Sequence, residues 1–76
     1  MSKSHSTHLQ GVTLNNLVGV LPVDFMVIVN SNDIEVLKGI AWVIPYKSTY
    51  YIYKDRDVST FNTDFYNTTI TINLRN

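Results

Sequence analysis

The sequence predicts an α+β, β-rich domain. A short N-terminal helix packs on a four-stranded, mostly antiparallel sheet, with a small partly open barrel as the alternative arrangement. Three observations point there. Four stretches rich in β-branched and aromatic residues, 24–30, 34–44, 57–63 and 68–74, are separated by turn-forming residues. Asn and Thr occur eight times each, and both favour turns, caps and exposed strand faces. Ala and Glu, which build long helices, are scarce.

Each element has a local reason. Residues 1–11, "MSKSHSTHLQG", are polar and aperiodic and read as a flexible tail; residues 12–76 read as one small domain. Thr13 is placed to cap a helix carrying Leu14, Leu17, Val18 and Leu21 on one face. Gly19 weakens that helix and Pro22 ends it, so two or three turns are expected. "DFMVIVN" is nearly all apolar and reads as a central strand buried on both faces. "SND" is turn chemistry, and "IEVLKGIAWVI" is the returning strand, with Glu35 and Lys38 pointing in different directions. Gly39 marks a bulge or a close packing contact within that strand. After Pro45, "YKSTYYIYK" fits a short helix or turn, since Tyr46, Tyr50 and Tyr53 fall at helical spacing. "DVSTFNT" is a third strand, "DFYN" a loop, and "TTITINL" a fourth strand with Ile70, Ile72 and Leu74 inward.

Composition limits the function. With 76 residues the chain holds one domain, and it has no cysteine for a disulfide, a thiolate site or thiol catalysis. So small a domain is marginally stable alone, so self-association into a homo-oligomer is expected. Six basic and six acidic residues cancel, which argues against general nucleic-acid binding but leaves room for a small nucleotide. No apolar run reaches membrane-spanning length and the N-terminus lacks an apolar signal core, so a cytoplasmic location is expected.

Catalytic groups are few. His5 and His8 lie in the tail without a third ligand, so no metal site is expected, and no glycine-rich phosphate loop or other cofactor motif is present. Asp55 and Asp57 flank Arg56 and read as a solvated turn rather than an acid–base pair. Asn67 begins the sequon "NTT" with no secretory signal to accompany it. An enzyme is therefore not expected. The aromatic residues are the distinctive feature. Trp42, Phe25 and Phe61 read as core. Tyr50, Tyr51 and Tyr53 cannot all face inward, because neighbouring residues point in different directions on a helix or a strand. Tyr46, Tyr50, Tyr51 and Tyr53, with Lys54 and Arg56 as polar contacts, are the candidate binding residues.

The string "LNNLVGVLPVDFMVIVNSNDIEVLKGIAWVIP" resembles a layout found in small, mostly uncharacterised accessory proteins of bacteriophages and prophages. The closing "RDVSTFNTDFYNTTITINL" is similar to their last pair of strands. This chain departs from the pattern in its tyrosine-rich "YKSTYYIYK", where those proteins have a more acidic linker. The resemblance implies a non-enzymatic protein that docks on a host protein, such as a defence factor, in the host cytoplasm. Two alternatives stand beside it. One is a homo-oligomeric sponge that holds a signalling nucleotide between aromatic faces, with Arg56, Lys47 or Arg75 on phosphate. The other is a virion assembly component.

Overall fold

The computed structural model describes residues 6–8 and 11–75. The chain builds a mixed, open sheet covered on one face by short helical turns. The first strand, β1, is Ser6–His8, and the first helix, α1, is Leu14–Val18. Thr13 caps α1 as its sequence suggests: its hydroxyl accepts from the Asn16 amide at 3.2 Å, and the Asn16 carboxamide accepts from the Thr13 amide at 3.3 Å. Asn thus fills the place that Glu or Gln takes in the usual capping box. The Leu14 and Asn15 amides donate to the carbonyls of Arg56 and Lys54, both at 2.9 Å. The helix stops at Val18, with Gly19 as C-cap, and is shorter than the two or three turns expected. The three residues it buries, Leu14, Leu17 and Val18, are three of the four the periodicity selects; Leu21 lies beyond the helix and packs against the core only in part.

Strands β2 (Met26–Ser31) and β3 (Ile34–Ile40) form the expected hairpin. Their turn residues, Asn32 and Asp33, have φ of 54° and 64°. Both are left-handed, as a two-residue type I′ connection requires, and Asn and Asp tolerate that conformation better than most. A 3₁₀ helix at Ile44–Tyr46 and a second helix, α2 (Tyr50–Tyr53), lead to β4 (Val58–Asp64) and β5 (Thr69–Leu74). The strand order is β1-β4-β5-β2-β3. Two antiparallel hairpins therefore meet along a parallel β2–β5 seam, and β1 extends the sheet beyond β4. The sheet keeps two edges, β1 and β3, and does not close into the barrel considered as the alternative.

Alternation decides the layers. Val27 and Val29 of β2 lie beside Ile70 and Ile72 of β5, and all four are buried. Leu14, Leu17, Ile44 and Tyr50 complete that core from the helical side. On the other face, Asn30 donates to Asn73 at 3.2 Å and Asn73 donates to Thr60 at 3.1 Å, a polar row across three strands.

Several expectations change. β2 is central, but only one of its faces is fully buried; Met26, Ile28 and Asn30 are partly buried, since no element among the described residues covers the second face. The β2–β3 bulge falls between Val29 and Asn30, opposite Val36, and not at Gly39. The extra residue places Glu35 and Lys38 beside Asn30 and Ile28, on the same face rather than on different ones. Gly39 provides the close contact instead, since a Cβ there would stand 2.7 Å from Lys47 Cε. Ser6–His8, placed by sequence in the tail, pairs with β4. Residues 1–5, 9 and 10 of that expected tail lie outside the described residues.

Candidate functional site

The segment after β3 is held from below. β3 ends at Ile40 because its partner β2 begins at Met26, directly opposite. Beyond that point the Ala41 and Trp42 amides donate to the Phe25 and Val23 carbonyls at 2.8 and 3.2 Å, and the chain turns away from the sheet. Trp42, expected in the strand and in the core, therefore sits on this turn with 59% of its surface exposed. Phe25 and Phe61 do pack against the core, as expected.

Tyr50 is the anchor of α2. It is only 3% exposed, and its hydroxyl donates to the Asn15 side chain of α1. Burial, with smaller contributions from Tyr51 and Asp55, pushes its phenol above the ordinary value. Tyr50 therefore leaves the set of surface contact residues: a ring enclosed in the core cannot anchor a partner. Tyr53, one turn on, is half-buried on the same side. Tyr51 and Ile52 consequently face outward, 65% and 71% exposed. This is the division that consecutive residues on a helix impose.

Tyr46 is 81% exposed. It shares no helix with Tyr50, because Lys47 is extended and interrupts the spacing. A recess of about 160 Å³ opens between α1 and this segment, walled by Val18, Gly19, Val23, Trp42, Pro45 and Tyr50. Tyr46 follows Pro45 in the chain, and Tyr51 meets Tyr50 edge to face with ring centroids 5.8 Å apart. Of the exposed aromatics, Trp42 lines this recess.

The two cations proposed as polar contacts behave differently from each other. Lys54 forms a surface ion pair with Asp55 at 3.4 Å. Arg56 is tied into the fold: its guanidinium donates to the Arg75 carbonyl at 2.9 Å and to the Ser31 hydroxyl at 3.4 Å, and lies 5.9 Å from the Tyr53 ring centre. Tyr46 and Tyr51 are therefore the exposed members of the candidate set, while Tyr50 is buried and Arg56 is bonded into the fold. Trp42, Val23 and Ile52 are the surface residues that sequence reasoning missed. The signal for Trp42 was present: Pro22 and Asp24 delay β2, so β3 has no partner past Ile40.

No group of three or more His, Asp or Glu among the described residues is arranged to hold a metal ion. No helix among them is long and apolar enough to cross a membrane. No protein-family model, curated protein or solved structure matches the chain.

Proposed function

We propose that this chain is a non-enzymatic binding protein that docks on a partner protein through the surface formed by Trp42, Tyr46, Tyr51 and Ile52. One observation carries the reading. Four large apolar or aromatic side chains stand 59–81% exposed on a segment whose backbone is fixed by the buried Tyr50 and by hydrogen bonds to β2's approach. Trp and Tyr are prominent among residues that dominate interface energies, and a fixed backbone lowers the ordering cost of using them. The layout resemblance to small bacteriophage proteins makes a protein of the bacterial host, such as a defence factor, the partner class to test first.

The nucleotide reading draws less support. Phosphate needs accessible cations, yet Arg56 is committed to Arg75 and Ser31, and the Lys47 side chain lies against Gly39. A second copy of the chain is the competing occupant of the aromatic surface.

The test begins with a purified partner identified by mass spectrometry after crosslinking. Tyr46→Ala or Trp42→Ala should each weaken its affinity by about 2 kcal/mol or more, the size of an interface hot spot. Unchanged affinity in both variants would remove this surface from the interface.

A further inference from the structure

The β3 edge of the sheet carries a side-chain pattern that a regular strand cannot have. β3 pairs with β2 on one side, and no strand among the described residues lies on its other side. Among those residues no backbone hydrogen bond reaches 34–39 from that outer side. The edge is accessible, since an open trough of about 400 Å³ is lined by residues 35–38 and 47–49. An unpaired edge is a template for another strand.

The bulge decides which strand fits. Ile34 and Gly39 pair with Ser31 and Val27, on the core side of the sheet. Val36 and Leu37 also both pack on the core side, because the extra residue removes the alternation between them. Glu35 and Lys38 pair with Asn30 and Ile28, on the far face. From 34 to 39 the sides run core, far, core, core, far, core, an order that is the same in both directions. A second β3, antiparallel about a two-fold axis between Val36 and Leu37, therefore meets this one with every side matched. Ile34 falls opposite Gly39, Glu35 opposite Lys38, and Val36 opposite Leu37. In an unbulged strand, residues three apart point to opposite faces, and Glu35 could not oppose Lys38.

Charge makes the register specific. Glu35 and Lys38 are both exposed, and neither side chain has a hydrogen bond or ion pair among the described residues. A two-fold axis forms their pair twice, since a contact of one residue with another implies the reciprocal contact. Opposite charges facing each other across two strands stabilise the pairing, and like charges destabilise it. Bulges and edge charges ordinarily repel a second strand; here their symmetric placement admits one. Ile34, 65% exposed in the single chain, gains cover over Gly39 of the second copy, where the Lys47 stem packs.

We propose that β3 is a homodimer interface, at which two copies of the chain pair antiparallel and join their five-stranded sheets into one. The docking surface of Trp42, Tyr46, Tyr51 and Ile52 takes no part in it, so either proposal can fail without the other.

The experiment is sedimentation equilibrium of the full chain over a range of concentrations. The parent should pass from 8.7 kDa to twice that mass, with a dissociation constant on the order of micromolar. Glu35→Lys and Lys38→Glu, each of which sets like charges opposite one another twice, should each weaken the dimer by about tenfold or more. An equimolar mixture of the two variants, which restores opposite charges across the axis, should regain it. If either variant loses its fold, amide exchange of the parent carries the test: amides within 34–39 should exchange more slowly in concentrated than in dilute protein. The proposal is overturned if the parent stays at 8.7 kDa, if folded single variants dimerise like the parent, if the mixture does not recover, or if exchange at 34–39 is independent of concentration.

Discussion

Tyr50 shows at the residue scale how one side chain decides where its neighbours go. Its ring fills the core beside Leu14 and Ile44, and its hydroxyl joins α2 to Asn15 of α1. Tyr50→Ala should cost about 3–5 kcal/mol in urea unfolding, the range for removing a buried aromatic ring. Tyr50→Phe should cost about 1 kcal/mol, the net value of one hydrogen bond. The phenol also sets a pH response. Its folded pKa is raised, so the folded state holds the proton more tightly than the unfolded chain. That contribution is complete below the unfolded value of about 10 and is lost as pH rises through the folded value. Unfolding free energy should therefore fall more steeply above about pH 10 in the parent than in Tyr50→Phe. Equal slopes in the two proteins would rule out Tyr50 as the group responsible. The sequence shows that the three tyrosines must divide between core and surface, and the spacing of Tyr50 and Tyr53 puts that pair on one face. It does not show that Tyr46 falls outside the helix, because Lys47–Thr49 has no breaker residue to announce the interruption.

Turns set the register of both hairpins at the scale of the element, and they do so with unequal ease. Asn32 and Asp33 suit their left-handed conformation, whereas Thr68, at φ 47°, is β-branched and poorly suited to it. Thr68 is held there because its carbonyl accepts from the Met26 amide at 2.9 Å, which starts the parallel seam between β5 and β2. Thr68→Gly should therefore stabilise the domain by about 1 kcal/mol, read as a higher urea midpoint at unchanged slope. A lower midpoint would mean that the Thr68 hydroxyl contact to the Asn67 carbonyl outweighs the backbone strain. Strand β5 was fully legible, because Ile70, Ile72 and Leu74 alternate cleanly with polar residues and all three are buried. Strand β2 was legible as central but not as one-faced. An unbroken apolar run reads the same whether the second face is covered or open, and Met26 and Ile28 supply no polar contrast. The bulge opposite Val36 left no Gly or Pro signature, so the shared face of Glu35 and Lys38 was hidden.

On the scale of the whole molecule, one sheet face carries the core, the other is left uncovered by the described residues, and the two differ in chemistry. The covered side carries the exposed Trp42, Tyr46, Tyr51 and Ile52 on the segment that follows β3; the other side presents Asn and Thr with Phe65 at its end. That the tyrosine-rich segment has outward-facing rings was legible in the sequence, since its neighbours cannot share one direction. That Trp42 joins them depends on where β2 begins; Pro22 and Asp24 carry that signal, but it lies on the approach to the partner strand and not beside Trp42. The proposed function requires the aromatic surface to be the interface with a partner protein. Its most direct test is site-specific photocrosslinking from positions 46 and 51, with position 28 on the open sheet face as the control, followed by competition with unlabelled protein. Crosslinks to one partner protein should form from 46 and 51 and not from 28, and should be competed by the parent chain but not by a Trp42→Ala, Tyr46→Ala double variant. Crosslinks from 28 alone, or crosslinks from 46 and 51 only to a second copy of this chain, would contradict it.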